Sequence, residues 1–142
     1  MSHPENAFIA AVHRKLPPVN QFYRMKNHNI YNGGIADCWY SDRRDLWVEY
    51  KFLTLPKRGT TVIDLVSKGD IISVLQADWL AARFEEGRNV WVIVGTPEGG
   101  AIFRARAWEK SYTAEVFRTF LLSKVDLAHA IFDFCRKGSK PP

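Results

Sequence analysis

The chain has 142 residues, of which 46% are hydrophobic and 25% are charged. This length supplies one ordinary core and excludes several large domains, while the apolar content excludes an intrinsically disordered chain. With 20 Lys and Arg against 15 Asp and Glu, the formal net charge is +5. A basic chain favours a polyanionic partner, although charge alone does not identify nucleic acid.

The cysteine content and the N-terminus indicate a compartment. Cys38 and Cys135 lie in apolar segments without CxxC spacing, which favours a reducing, intracellular setting over a disulfide framework. The first residues lack the basic stretch and apolar run of a signal peptide, and the nearby apolar stretches are too short to cross a bilayer. We therefore expect a soluble cytoplasmic protein that does not bind membranes.

The first part of the sequence predicts a helix, a loop and a β-hairpin. Apolar side chains recur at helical spacing over residues 4–16, and Pro4 suits the first turn. An Asn- and Gly-rich segment at 27–34 indicates a loop. Aromatic and β-branched residues at 35–40 and 46–53 then flank a polar turn, which predicts an antiparallel hairpin.

The next part predicts a second helix and two more strands. A basic connection contains a short possible strand at 62–66. Ser73 and Gln76 have the spacing of a capping box, which predicts the start of a helix. Buried-strand and alternating patterns follow at 89–95 and 101–108, with a Gly-containing turn between them.

The C-terminal part predicts helix again. Residues 113–136 form one helix or two helices broken near Ser123, which begins a second capping box. The whole order predicts a single α/β domain over residues 1–142, with a core at about 4–108 and a helical tail at 113–136.

The predicted hairpin brings two acidic residues together. If its turn is centred near Arg43, Asp37 and Glu49 face each other on one side of the sheet, with Cβ atoms about 4.5–5.5 Å apart. Lys51 projects from the same face as Glu49, because side chains alternate along a strand. Facing carboxylates repel each other, and a divalent cation between them removes the conflict. This arrangement favours Mg²⁺-assisted hydrolysis of a phosphodiester.

The same residues have a simpler interpretation. An Asp within a dozen positions of a Glu-x-Lys occurs by chance in about one chain of this size in six. Glu49 and Lys51 can also be an exposed pair on a solvated strand. The apolar context of residues 46–53 favours the functional interpretation, because such local exceptions cluster at functional sites.

Several motifs in chain order carry a family resemblance. They are Glu5, Gly34-Ile-Ala-Asp37, Glu49-Tyr-Lys51, Gln76 with Trp79-Leu80, Gly87, and the strand at 90–94. This order resembles the PD-(D/E)XK nuclease superfamily, and within it the VRR-NUC and Holliday-junction-resolvase-like branch. The resemblance implies a restriction-endonuclease-like α/β core, with a central mixed β-sheet flanked by helices. Ala36 departs from the pattern, since Pro often precedes the Asp.

The resemblance also implies residue roles. Asp37, Glu49 and the main-chain carbonyl of Tyr50 would bind Mg²⁺ or Mn²⁺, and Lys51 would position the attacking water. The two residues that would complete the site are Glu5 and Gln76. On the residues alone, Glu5 equally fits a helix N-terminus and Gln76 a capping box.

The expected partner is DNA. Basic residues that precede or follow the motifs are candidates for contacts with the sugar-phosphate backbone, although each also fits a solvated surface. They are Arg14, Lys15, Arg24, Lys26, Lys57, Arg58 and Lys68. The resemblance implies a homodimer, since cutting two strands symmetrically needs two sites, and the apolar tail helices are expected to form its interface.

The predicted function is a metal-dependent endonuclease that hydrolyses DNA phosphodiester bonds and is specific for Holliday-junction or branched DNA. Two alternatives stay open. One is a non-catalytic nucleic-acid-binding module on the same fold. The other is a small interaction protein whose aromatic tail binds a partner.

Overall fold

A computed structural model describes residues 3–19, 21–27 and 34–137. Seven strands lie within these residues: β1 Tyr23–Lys26, β2 Cys38–Ser41, β3 Asp45–Phe52, β4 Val62–Ile63, β5 Val90–Thr96, β6 Gly99–Phe103 and β7 Tyr112–Thr113. The α-helices are α1 Pro4–Arg14, α2 Val74–Glu85, α3 Ala114–Thr119 and α4 Lys124–Arg136, and a short 3₁₀ helix spans Ala107–Glu109.

The main sheet has five strands in the order β1-β2-β3-β5-β6. Its central pair, β3 and β5, is parallel and is connected through α2, whereas the other pairs are antiparallel. This is the mixed sheet that the sequence predicted. The two short strands β4 and β7 form a separate antiparallel pair beside it.

Helices pack on both faces of this sheet. On one face, α1 and α4 bury side chains such as Val12 and Ile131 against Tyr40 and Tyr50. On the other face, Leu80 of α2 and Phe117 of α3 are buried with side chains of β5 and β6. Strand β5 is buried along its whole length, which explains its continuous apolar sequence.

The helix starts follow the predicted caps. Ser73 and Gln76 form the reciprocal capping box that begins α2. Ser123 accepts a hydrogen bond from the backbone N–H of Asp126 and begins α4, so the tail contains two helices rather than one. In both cases a side-chain oxygen satisfies a backbone donor that the first helical turn leaves unpaired.

Several predicted strand boundaries were wrong. Strand β2 begins at Cys38 rather than at residue 35, and β6 ends at Phe103 rather than at residue 108. The early end of β6 has a backbone cause, because Ala105 and Arg106 have φ values of 50° and 63° and turn the chain into the 3₁₀ helix. Strands β1 and β7 were not predicted. The predicted loop at 27–34 lies mostly outside the described residues.

The apolar face of the tail belongs to the core of the chain. Helix α4 buries Leu127, Ala128, Ile131 and Cys135 completely, largely against α1 and the sheet. The chain's own core covers this face, so a subunit interface formed by the tail helices would use their exposed side chains, such as Val116 and Val125. The homodimer stays a prediction.

Two further expectations concern the cysteines and the membrane. Both Cys38 and Cys135 are buried free thiols, as the sequence predicted. Within the part of the chain that the structure describes, no helix has the length and apolar character needed to cross a membrane.

Candidate active site

The β2–β3 hairpin has the predicted register. Cys38 lies opposite Val48 and Trp39 lies opposite Trp47. One step further along the same register, Asp37 lies opposite Glu49 on the face that α2 covers. The two carboxylates therefore meet at the open end of the hairpin, and we call Asp37 and Glu49 the carboxylate pair.

The hairpin forks where the carboxylate pair lies. Strand β2 pairs with β3 only as far as Val48, whereas β3 continues beside β5 to Phe52. At this fork, the carboxylate Oδ2 of Asp37 accepts the backbone N–H of Tyr50 at 3.0 Å. Because the N–H and C=O of one strand residue point to the same side, the carbonyl of Tyr50 is also directed into the fork.

Glu49 is the most unusual side chain of the site, since only 1% of its surface is exposed. Its Oε2 accepts a hydrogen bond from Nε2 of Gln76 at 3.1 Å and lies 3.3 Å from Nζ of Lys51. Its Oε1 is buried and has no hydrogen-bond partner among the described residues. Burial, with the nearby charge of Asp37, raises the pKa of Glu49 to about 8 although Lys51 acts in the opposite direction.

Gln76 has two roles because its amide has two ends. Its Oε1 accepts the backbone N–H of Ser73 in the capping box, at 3.1 Å. This bond directs the amide Nε2 towards Glu49. The start of α2 thus fixes a hydrogen-bond donor to the buried carboxylate, so the capping role and the site role of Gln76 are compatible.

Gly34 explains how the loop before β2 approaches α2. Its φ is +94°, and a Cβ at this position would lie 2.9 Å from the carbonyl oxygen of Leu75 in the first turn of α2. A larger residue would therefore push the segment that carries Asp37 away from the helix. The close approach to Leu75 therefore requires a glycine at position 34.

Glu5 reaches the same region from the N-terminus of α1. It is half-buried, and its pKa is raised mainly by burial and then by the charge of Asp37, while Lys51 acts in the opposite direction. The structure therefore brings Glu5, Asp37, Glu49, Lys51 and Gln76 into one cluster. Their chemical roles stay predictions.

The residues of the cluster fit a hard cation with few protein ligands. Among residues 3–19, 21–27 and 34–137, no group of three or more His, Cys, Asp or Glu side chains is arranged to hold a metal ion. The cluster offers instead the two carboxylates of Asp37 and Glu49 and the carbonyl of Tyr50. Mg²⁺ is commonly held by one or two carboxylates, with waters and substrate phosphates completing its octahedron. The unpartnered Oε1 of Glu49 supplies an unused oxygen for such an ion.

The seven basic candidates fall into different places. Lys57, Arg58 and Lys68 are exposed in the segment after β3, and Lys68 lines a cavity of about 510 Å³ there. Arg24 donates to the carbonyl of His13, and Lys26 donates to Oδ1 of Asn6, so both attach β1 to α1. Arg14 and Lys15 are exposed at the opposite end of α1, about 14 Å along the helix from Glu5.

The structure also shows aromatic neighbours of the site, of which the sequence had singled out only Trp79, as part of the helical motif. Trp39 follows Asp37 by two positions and Trp47 precedes Glu49 by two positions, so both indoles lie on the same sheet face as the carboxylate pair. Trp79 of α2 packs against Trp47. The strand period of two was the signal that could have found them, since Trp47 and Glu49 share a face by alternation alone.

Comparison with solved structures shows a likeness in fold. No protein-family model and no curated protein sequence matches the chain. Among solved structures, the chain is similar to Hjc, a Holliday junction resolvase from the archaeal hyperthermophile Archaeoglobus fulgidus, with a TM-score of 0.51 and 13% sequence identity. The match covers 90% of this chain and 98% of that chain. This chain therefore has the restriction-endonuclease-like α/β fold that the sequence predicted.

Proposed function

We propose that this protein is a metal-dependent endonuclease that hydrolyses phosphodiester bonds of junction or branched DNA. The observation that carries the proposal is the carboxylate pair at the fork of the hairpin, with the ammonium of Lys51 3.3 Å from the buried Glu49. The fold that this chain shares with a Holliday junction resolvase supports the same activity and the junction substrate.

The residues of the cluster have separable roles in this proposal. Asp37, Glu49 and the carbonyl of Tyr50 would hold Mg²⁺ or Mn²⁺, which polarises a phosphoryl oxygen and lowers the pKa of a bound water. Lys51 would orient the attacking water and stabilise the charge that develops on the phosphate. Gln76 holds the Glu49 carboxylate in place, and Glu5 adds a further negative group at the edge of the site.

A cleavage assay with matched variants tests this proposal. Labelled four-way junction, flap, single-stranded and duplex DNA are incubated with the protein in Mg²⁺, Mn²⁺ or EDTA. We expect cleavage only with metal, and a loss of at least about 100-fold in Asp37→Asn and Lys51→Met, in line with the usual size of such catalytic contributions. Asp78→Asn, an exposed change on α2, is the control. Cleavage in EDTA, or full activity of Asp37→Asn, would overturn the proposal.

One observation favours a second candidate, a nucleic-acid-binding module without turnover. Among the described residues, no three His, Cys, Asp or Glu side chains are arranged so that all of them could hold one metal ion. The same assay separates the two functions when DNA binding is measured beside cleavage. Binding that persists in Mg²⁺ and Mn²⁺ without any cleaved product supports the binding module.

The proposed junction substrate also implies two copies of the site, and hence a homodimer. Because α4 buries its apolar face internally, a dimer must use another surface. Sedimentation velocity of the protein, with and without junction DNA, measures this directly, and a monomer on bound junction DNA would contradict it.

A further inference from the structure

A row of tryptophans lies beside the carboxylate pair. Trp39 of β2 and Trp47 of β3 face each other across the hairpin with ring centroids 6.4 Å apart. Trp79 of α2 contacts Trp47 at 5.5 Å. We call these three residues the tryptophan row. Three different elements thus contribute one continuous indole surface.

The tryptophan row lies two residues along the strands from the carboxylate pair, on the same face of the sheet. Trp47 precedes Glu49 by two residues, and Trp39 follows Asp37 by two residues in the antiparallel partner. Two strand residues span about 7 Å, so the two rows run parallel across the sheet at that separation. A DNA strand with a phosphate at the carboxylate pair would therefore bring the base of a neighbouring nucleotide over the indoles.

The row continues into exposed side chains at the sheet edge. Met25 lies opposite Trp39, and Tyr23 lies opposite Ser41 on the same face of β1. Tyr23 is 64% exposed and Met25 is 51% exposed, whereas the three indoles are half-buried. An apolar strip of this kind, open to solvent beside a proposed site, is typical of a binding surface.

Charge and hydrogen bonding around the row favour DNA as its occupant. The guanidinium of Arg83 lies over the ring of Trp79 at 5.5 Å. Aromatic platforms combined with cations are the usual surface for single-stranded nucleic acid, because every base has a face that can stack.

The indole N–H of Trp39 is already used, since it donates to Oδ2 of Asp45 at 3.2 Å. A ligand can therefore contact only the ring surface of Trp39. This surface suits stacking on a base and not hydrogen bonding to the edge of a base. A contact of this type tolerates any sequence.

We propose that the tryptophan row, extended by Tyr23 and Met25, stacks unpaired bases next to the scissile phosphate, so that the substrate is DNA with single-stranded nucleotides at a branch point. This inference rests on the proposed function, because it takes DNA as the ligand. It narrows the substrate class from junction or branched DNA in general to forms with unpaired bases.

Binding measured in EDTA tests the inference without cleavage. Fluorescence anisotropy gives the Kd for a blunt duplex and for the same duplex with a single-stranded fork. A stacked base contributes about 1–3 kcal/mol, so we expect the wild-type protein to bind the fork at least about 5-fold more tightly. Trp39→Leu and Tyr23→Ser should lower this preference to near 1 while leaving the duplex Kd unchanged.

Controls keep the test decisive. Phe120→Leu changes a partly exposed aromatic side chain at the C-cap of α3 and should keep the full fork preference. Because the side chain of Tyr23 is mostly exposed, Tyr23→Ser should fold, and it tests the fork preference by itself if Trp39→Leu does not fold. Oligothymidylate should also quench tryptophan fluorescence, since Trp91 and Trp108 are buried and the accessible emission comes from the row.

Three outcomes would overturn the inference: equal affinity for fork and duplex, a fork preference that both variants retain, or a loss of dimer in Tyr23→Ser with unchanged DNA preference. The last result would assign the strip to a contact between copies. A different result is that the protein prefers the fork and shows quenching of its tryptophan fluorescence by oligothymidylate, yet cleaves no DNA in Mg²⁺. That result supports this inference and contradicts the proposed function. A protein that cleaves junction DNA in Mg²⁺ but binds fork and duplex with equal affinity loses only this inference.

Discussion

At the scale of single residues, the site depends on keeping Glu49 in an apolar place. A buried carboxylate with an unpartnered oxygen costs free energy that only neighbours can offset. Lys51 and Gln76 offset part of it through Oε2, while Oε1 stays available. The protein retains a locally unfavourable arrangement here, which is the usual sign of a functional position.

The two roles of Gln76 can be separated by substitution. Ser73→Ala removes the cap of α2 and should lower the free energy of unfolding by about 1 kcal/mol with cleavage nearly unchanged. Gln76→Leu removes the other half of the capping box, the acceptor for the Ser73 N–H, and also the donor to Glu49. Its cleavage rate should therefore fall at least about 10-fold below that of Ser73→Ala. Urea denaturation and the cleavage assay measure the two effects. Equal cleavage rates in the two variants would show that the contact with Glu49 has no catalytic value.

His13 predicts a pH dependence of stability. Its ring is hydrogen-bonded to the hydroxyl of Tyr40 at 2.7 Å, and that hydroxyl is hydrogen-bonded to Tyr50. Burial, with the charges of Arg24 and Lys26, lowers the pKa of His13 to about 4. As the pH falls from about 6.5 to about 4, the unfolded chain binds a proton at His13 that the folded chain does not.

The free energy of unfolding should therefore fall as the pH is lowered from about 6.5 to about 4. Below about pH 4, His13 should cause no further decrease. His13→Gln should remove about 1–2 kcal/mol of that fall, a figure reduced for the partial exposure of the ring. Urea midpoints at intervals between pH 4 and pH 7 for both proteins give the difference. Parallel curves would contradict the lowered pKa of His13.

At the scale of elements, the position of α1 on the sheet determines where Glu5 lies. A Cβ on Gly95 of β5 would lie 2.7 Å from the ring of Phe8 in α1. The helix therefore approaches the sheet closely because β5 has no side chain at this position. The acidic N-terminus of α1 reaches the fork as a result of this close packing.

Gly95→Ala should consequently lower the free energy of unfolding by about 1–3 kcal/mol, the usual cost of an overpacked core. Phe8→Leu in the same chain should restore part of the loss, because the smaller side chain makes room. A double-mutant cycle by chemical denaturation measures the coupling between the two positions. Strictly additive effects would mean that the contact does not limit the packing of α1.

The same scale shows what the sequence could predict. The capping box of α2, the Ser123 cap of α4 and the hairpin register follow from local spacing. The carboxylate pair was therefore predictable from a strand period of two. Strand β1 was not, because four residues give too little pattern and its partner β2 is reached only by long-range pairing. The approach of Glu5 and the double use of Gln76 depend on how helices pack, which no local pattern contains.

At the scale of the whole molecule, positive charge should govern DNA affinity. The formal net charge is +5, and the exposed residues Lys57 and Arg58 follow β3, the strand that carries Glu49 and Lys51. Each phosphate contact contributes about 0.9 to the slope of log K against log salt for duplex DNA. Binding should therefore weaken steeply as salt rises.

Arg58→Gln should reduce the magnitude of that slope by about 0.9 and weaken binding equally for all DNA sequences. Lys137→Gln, at the exposed end of α4, is the matched control and should leave the slope unchanged. Titrations at a series of NaCl concentrations in EDTA provide both slopes. A smaller slope in the Lys137 variant instead would place the DNA on the other face.

The parallel pairing of β3 with β5 has a consequence for biosynthesis. Glu49 and Lys51 lie on a strand whose neighbour begins only at Val90, and Gln76 is translated between the two. A nascent or truncated chain that stops before this neighbour lacks the strand that supports one side of the candidate site. Any activity of the proposed site would therefore require a chain made at least as far as Thr96, about two thirds of its 142 residues.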